Sequence, residues 1–321
     1  MSLSVVKVVI AVAVFSVLDA SVTRADVIVT PPPSFMDQTA RTLDNTHDDL
    51  NARFQHVARQ LDSFFKRHDA PDATSNSTVR VRLMLKIQDG DGLSPSAAVK
   101  AKMVLPYAEE RLNLFVDNIK RGALPGDENP VTGDDTVQVG ARVWLLRALR
   151  SHLSLEGGVK IHGIPDPFSQ LELQYEWKLD GWVGRFTQDA FGYVKEGFGE
   201  LTQVDVERPF GKKSLFRSTT AAQYTEESYG VEFEQTLICD FTLSGRGRNL
   251  IPSASVFAHR CGTFQMDNYR VNVTYRTCFF RPWLILELTP QIEFPRERDY
   301  LFTPSIRLGF EVWFGSLPEN N

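Results

Sequence analysis

The sequence predicts an all-β fold. Residues 79 to 314 are expected to form a closed antiparallel transmembrane β-barrel of about 14 strands, and one N-terminal amphipathic α-helix precedes it. Apolar and polar side chains alternate along each segment, many segments run for about ten to twelve residues, and no helical period interrupts them. Soluble strands usually have about five or six residues, whereas a tilted strand needs about nine to eleven to cross a membrane. Twelve strands are the alternative, because glycines blur the pattern near residues 182 and 199.

The first 25 residues have the organisation of a cleaved signal peptide. Lys7 precedes an apolar run at residues 8 to 18, and Thr23 and Ala25 occupy the small-residue positions of a cleavage site. This apolar run is too short to cross a hydrocarbon core of roughly 30 Å as a helix. We therefore expect an exported protein whose mature chain starts at Asp26.

Residues 26 to 78 are predicted to form a spacer, a periplasmic helix and a linker. Three consecutive prolines at 31 to 33 favour a stiff, extended spacer. In residues 36 to 67, mostly apolar positions recur at steps of four and three, in a heptad seam that includes His47. This helix is expected either to self-associate as a coiled coil, to plug the barrel, or to rest its seam against the rest of the chain.

Each strand segment has one apolar and one polar face. Leu171 and Leu173, for example, alternate with Gln170 and Glu172. Successive side chains of a strand point to opposite faces, so all the apolar residues of a segment share one face. The segments are predicted to start near residues 79, 97, 111, 136, 152, 168, 182, 199, 214, 228, 250, 267, 282 and 303.

The connections between segments are predicted to alternate in length. Short turns are expected near residues 106–110, 148–151, 180–181, 211–212, 245–249 and 281–282, and longer loops at 89–96, 119–135, 164–167, 261–266 and 296–302. Short turns at one rim and longer loops at the other are typical of outer-membrane barrels.

Aromatic residues concentrate near the ends of segments, close to the predicted short turns. Amphipathic rings prefer the level of the lipid headgroups. We therefore predict one membrane-interface girdle, formed by Trp144, Trp177, Trp182, Phe280, Trp283 and Phe314.

The last segment carries a short motif. Arg307, Gly309, Val312 and Phe314 supply a polar residue, a glycine two positions later and hydrophobic or aromatic residues at alternate final positions. This pattern resembles the C-terminal insertion signal of bacterial outer-membrane β-barrel proteins, although a tail of residues 315 to 321 follows it. The resemblance implies a Gram-negative outer-membrane protein, with the lipid bilayer and the outer-membrane assembly machinery as partners.

If the apolar faces meet lipid, the polar faces line the lumen. The predicted lumen-lining residues are Arg80, Arg82, Lys86, Lys100, Lys102, Arg142, Glu172, Glu176, Glu232, Glu234, Arg270, Arg276, Glu287, Arg307 and Glu311. Such a wall favours a porin-like channel that selects small solutes by charge. The alternative is a structural scaffold, whose narrow interior is filled by paired charges.

Two further function classes stay open. His152 and Ser154 share one face of a segment, a pair that can activate a hydroxyl nucleophile in a barrel enzyme of the lipid-hydrolase type. The alternation also fits a soluble periplasmic β-sandwich binding protein. No catalytic, metal or cofactor residues are predicted, because no ligand spacing, phosphate-binding loop or dinucleotide motif is present. A net charge of -5 gives no reason to expect nucleic acid as a partner.

Overall fold

The computed structural model describes residues 44–56, 77–104, 112–126, 136–162, 164–211, 213–228, 230–243 and 247–315. The predicted signal peptide, the proline spacer and the C-terminal tail after residue 315 lie outside these ranges. The chain divides into an N-terminal unit with the described helix and a C-terminal unit with the described strands. None of the helices in the described ranges combines the length and the apolar character that a membrane crossing requires.

Helix α1 spans residues 44–56, inside the predicted range of 36 to 67. Its seam residues His47, Leu50 and Phe54 are partly buried, and Asp49 and Arg53 form an exposed ion pair of 3.1 Å one turn apart. The prediction of a helix before the strands is confirmed, while both ends of the predicted range fall outside the described residues.

The strands form one closed antiparallel barrel, as predicted. Each strand pairs with its neighbours in sequence, and β1 pairs with β14 to close the sheet. A short 3-10 turn at Arg296–Arg298 precedes the last strand. The strands are β1 Thr78–Gln88, β2 Gly92–Val104, β3 Leu112–Asp117, β4 Val137–Arg147, β5 Ser151–Ile161, β6 Asp166–Leu179, β7 Trp182–Tyr193, β8 Gly197–Phe210, β9 Ser214–Thr225, β10 Gly230–Thr242, β11 Asn249–Cys261, β12 Thr263–Cys278, β13 Leu284–Pro295 and β14 Thr303–Gly315.

The predicted alternation of loop lengths is wrong at several connections. Residues 89 to 91 alone join β1 to β2, and Gly262 alone joins β11 to β12. Gly90, Gly92 and Gly262 have φ of 84°, 75° and 81°, which lets the backbone reverse within a few residues. These two strands therefore start at Gly92 and Thr263, whereas the other starts lie within two residues of the prediction.

The side chains are distributed inside out relative to a soluble protein. Gln138 and Ser154 are 0% exposed and Glu156 is 1% exposed, whereas Ile87 is 55% and Leu179 66% exposed. In hydrocarbon the outer face must be apolar and the backbone fully paired, which only a closed sheet achieves with strands. The distribution is that of a membrane-spanning barrel, so the soluble β-sandwich alternative is wrong.

Aromatic side chains lie near both rims of the barrel. The turn rim contains the start of β1 and the end of β14, and the loop rim is the opposite one. At the turn rim, Arg208 lies 5.1 Å from the centre of the Trp182 ring on the outer face. Trp177, Phe280, Trp283 and Phe314 lie at the same rim, and the loop rim carries Phe198, Tyr224, Tyr269, Phe294 and Phe302. The sequence indicated only the first of these two belts.

Trp144 lies on the inner face, although it was predicted to belong to the outer girdle. It pairs with Ser154 in the β4–β5 register, which places it on the same face as Arg142. Its ring lies 5.5 Å from the Arg142 guanidinium and 5.2 Å from that of Arg147. The apolar residues that follow it obscure this parity, because a β-bulge interrupts the register there.

Candidate functional site in the barrel lumen

The register places every predicted lumen residue on one face of its strand. Arg80 pairs with Lys100, Arg142 with Glu156, and Glu287 with Gly309, and the residues two positions away along each strand share that face. Glu156, Glu234 and Glu311 on this face are at most 2% exposed. The candidate site is therefore the charged inner wall of the barrel.

Four side chains form a ring of alternating charge on the β1, β12, β13 and β14 wall, here called the four-charge ring. Arg82 forms an ion pair with Glu287 and lies 3.6 Å from Glu311. Arg276 lies 3.2 Å from Glu287 and 2.8 Å from Glu311. Trp313 Nε1 also donates to Glu311 Oε1 at 2.6 Å. The two positive and two negative charges of the ring cancel. The ring also connects β1 to β12, β13 and β14 across the β1–β14 pairing that closes the barrel.

A second ion-pair group lies nearer the loop rim. Glu293 accepts from Arg270 at 2.9 Å, from Lys86 at 3.3 Å and from Asn268 at 3.0 Å. Arg270 Nη1 also donates to the carbonyl oxygen of Gly126 at 2.7 Å. Arg270 therefore connects the strand wall to a segment that is not part of the sheet.

This inner segment consists of residues 118–126, which follow β3. At its start, the Asn118 side chain donates to the Ala97 carbonyl at 2.9 Å and accepts from the Val99 amide at 2.9 Å. Asn118 thus provides hydrogen-bond partners for one backbone carbonyl and one backbone amide of β2, at a point where β3 has already ended. The chain leaves the sheet at this point and runs across the lumen.

Arg121 fixes the first half of the inner segment. Its guanidinium lies 3.1 Å from Asp117 and 3.2 Å from Glu156, and its Nε donates to Gln138 at 3.1 Å. It also lies 4.6 Å from the centre of the Phe115 ring. These partners are on β3, β4 and β5, so Arg121 is held by charge, hydrogen bonds and an aromatic face at once.

Gly126 fixes the far end of the inner segment against the opposite wall. Its amide donates to Glu234 Oε2 at 2.7 Å, and its carbonyl accepts from Arg270. A Cβ at position 126 would lie 2.5 Å from Glu234 Oε1 and 3.0 Å from the Phe257 ring, so any larger residue would force the Glu234 carboxylate to move. The inner segment therefore spans the lumen from the β3–β5 wall to the β10–β12 wall.

The sequence predicted residues 119 to 135 as a loop at the rim, and this placement is wrong for residues 119–126. Arg121 and Gly126 were missed as lumen residues for the same reason. Their partners Glu156 and Glu234 are remote in sequence, so no local period indicates the contacts. The one available signal was that this was the longest predicted connection.

A cavity of about 490 Å³, the central cavity, lies between the inner segment and the wall of strands β9 to β14, β1 and β2. Pro125 and Gly126 form its boundary on the inner-segment side. Its charged lining residues are the four arginines Arg82, Arg270, Arg276 and Arg307 and the two glutamates Glu234 and Glu287. Glu311 and Glu293 on the same wall pair with three of these arginines, Arg82, Arg276 and Arg270, from just outside the lining.

The opposite wall carries more acidic groups. Arg142 forms an ion pair with Glu156 and lies 3.7 Å from Glu172. Asp189 on β7 is 8% exposed and pairs with no cation within the described residues. Glu176 contacts Lys178 at 3.5 Å near the turn rim. The acidic groups Glu172 and Asp189, which pair in the β6–β7 register, thus lie on the wall opposite the central cavity.

His152 and Ser154 are the residues that the sequence offered as a candidate catalytic pair. Both lie on the inner face of β5, but no hydrogen bond joins them in the described part of the chain. The His152 ring instead packs edge-on against Trp144 with centroids 6.1 Å apart. The described residues also contain no group of three or more His, Cys, Asp or Glu suited to a metal ion.

A closed sheet with an apolar outer face, two aromatic belts and a charged inner face defines the class of membrane-spanning β-barrels. No family model and no curated protein matches this sequence. Among solved structures, the barrel is similar to OprB of Pseudomonas putida, with a TM-score of 0.50 and 8% identity over 75% of this chain and 94% of that one.

Two other solved structures are similar over comparable lengths. A bacterial polysaccharide outer membrane secretin aligns with a TM-score of 0.47 and 10% identity over 77% of this chain and 100% of that one. A loop-deletion mutant of OmpT from Vibrio cholerae aligns with a TM-score of 0.46 and 11% identity, over 75% and 99%. The chain has the fold of bacterial outer-membrane β-barrel proteins, and at these identities the likeness concerns the fold alone.

Proposed function

We propose that this protein is an outer-membrane pore for small polar solutes, narrowed in the lumen by the inner segment. The observation that carries the proposal is the central cavity of about 490 Å³, which remains between the inner segment and the charged wall. A scaffold filled by its own side chains would leave no such space. The path for a solute would run between Gly126 and the four-charge ring.

The location follows from the outer surface of the barrel. Its apolar band, its aromatic belts and the C-terminal pattern ending at Phe314 together support insertion into the outer membrane of a Gram-negative cell. Such insertion requires export through a signal peptide and the outer-membrane assembly machinery, which we include in the proposal.

The charge of the lining favours anions over cations. Four arginines and two glutamates face the central cavity, and fixed charge in a narrow pore attracts ions of opposite sign. We therefore expect small anionic solutes to pass more readily than cationic ones of equal size. The partial pairing of these charges limits the preference to a moderate one.

Planar-bilayer recording of the refolded protein tests this function. A shift in mobility between heated and unheated samples on a detergent gel first establishes that the barrel has closed. Discrete conductance steps and a reversal potential that favours chloride are expected. Arg307→Gln should reduce the chloride preference, whereas Arg208→Gln on the outer face should leave it unchanged. Silence across a range of salt concentrations would instead identify a closed scaffold.

Helix α1 is proposed to self-associate through its heptad seam. His47, Leu50 and Phe54 lie on the less exposed side of the helix, as a coiled-coil seam requires. Deleting residues 36 to 67 should reduce the oligomer size measured by light scattering in detergent. An unchanged size would exclude this role for the helix.

A further inference from the structure

Polar side chains occupy the middle of the outer face on four adjacent strands. They are Gln188 on β7, Thr202 on β8, Ser218 and Thr220 on β9, and Gln235 on β10, together called the outer polar patch. The register aligns Gln188 with Thr202 and Thr220 with Gln235. Each of them lies about halfway along its strand, at the depth where lipid tails would surround the barrel.

The patch is confined to this side of the barrel. At the corresponding height the other described strands present apolar residues outward, for example Leu83 on β1, Val99 on β2, Val271 on β12 and Leu308 on β14. Confinement to four neighbouring strands indicates a local function rather than a general tolerance for polar residues on the outer face.

The side chains of the patch satisfy each other only in part. Thr202 donates to Gln188 Oε1 at 2.6 Å, Thr220 donates to Gln235 Oε1 at 2.5 Å, and Gln235 Nε2 donates to Ser218 at 3.0 Å. Within the described residues no acceptor reaches the side-chain NH₂ of Gln188. Lipid tails offer no hydrogen-bond acceptor. An amide NH₂ that faces them therefore loses its hydrogen bonds to water without replacement, which is energetically unfavourable.

The surroundings of the patch combine small residues with one carboxylate. Ala190 and Ala222 flank the patch on β7 and β9 and are small, and the exposed Glu200 on β8 borders it toward the loop rim. Contacts between transmembrane helices combine small residues with hydrogen-bonding side chains, and the same chemistry is available on this outer face. The patch is thus suited to a protein surface rather than to lipid.

We propose that the outer polar patch is the contact through which a second copy of this chain associates within the membrane. Hydroxyl and amide groups both donate and accept, and the patch carries no charge. The surface is therefore complementary to itself, as a two-fold symmetric contact requires. This inference rests on the proposed membrane location but not on the passage of solutes or on helix α1.

Position-specific cross-linking in lipid vesicles tests the proposal. Thr220→Cys is placed in a chain in which Cys239, Cys261 and Cys278 are serine, and residues 36 to 67 are deleted to exclude contacts through the helix. Mild oxidation should yield a covalent dimer. Val99→Cys, on the opposite side of the barrel, is the matched control and should remain monomeric.

A second variant separates a specific contact from random collision. Gln188→Leu combined with Gln235→Leu should abolish the covalent dimer of Thr220→Cys while the heat-dependent gel mobility stays that of a closed barrel. Equal cross-linking at position 99, no cross-linking at position 220, or persistence of the dimer in the leucine variant would overturn the proposal. So would a covalent product in native membranes whose mass shows a different protein. Conductance per barrel is measured separately, so failure here leaves the proposed pore standing.

Discussion

Replacing Gly126 with alanine should release the inner segment from the β10–β12 wall. The new Cβ would lie 2.5 Å from Glu234 Oε1, so the glutamate must turn away and its hydrogen bond from the Gly126 amide is lost. A hydrogen bond to a charged group contributes about 1.5 to 3 kcal/mol, which corresponds to an approximately 10-fold to 150-fold smaller ratio of docked to undocked inner segment.

The expected result is a larger and noisier single-channel conductance, together with faster proteolysis within the inner segment. Gly157→Ala is the matched control, because a Cβ at that position meets nothing within 4 Å. Conductance and protease resistance equal to those of the control would refute the assignment of the inner segment as the constriction, since the same substitution would then have no effect at either site.

Two predictions concern the stability of the barrel. Arg276→Ala leaves both glutamates of the four-charge ring with a single arginine, and should lower the free energy of unfolding in urea by about 2 to 3 kcal/mol. This loss is smaller than that expected for a fully buried ion pair, because Arg276 is partly exposed. Lys178→Ala, which breaks an exposed pair, should cost less than about 1 kcal/mol, and equal effects would contradict the role of the ring. Leu308→Arg at mid-height on the outer face should cost about 2 to 4 kcal/mol, but Leu179→Arg near the rim only about 0 to 1. Equal costs at the two depths would argue against a membrane around the barrel.

Sequence alternation predicted the barrel because its cause is local. A period of two assigns each side chain to a face without any knowledge of its partners, and the register aligns Arg82 with Glu311, two residues that this period assigns to the same face. Trp144 has the same parity as Arg142, which places it on the inner face, although its aromatic ring alone favours the interface girdle.

The sequence does not predict the contacts that cross the lumen. Gly126 and Glu234 are 108 positions apart, and no periodic pattern connects them. The outer polar patch, by contrast, left a trace. The alternation is weakest near residues 182 and 199, and these segments became β7 and β8, which carry Gln188 and Thr202. The alternation is therefore weak in these two strands because of outward-facing polar side chains as well as glycines.

Because the first strand, β1, pairs with the last strand, β14, the barrel cannot close in a chain that lacks β14. All eleven residues of β1 lie opposite a residue of β14, the last strand in sequence, and alternate ones exchange backbone hydrogen bonds with it. Until that strand exists, β1 offers bare amides and carbonyls that no lipid can satisfy. The barrel can therefore close only once β14 has been made, and a chain that stops before this strand keeps an unpaired edge, where proteolysis and aggregation can start.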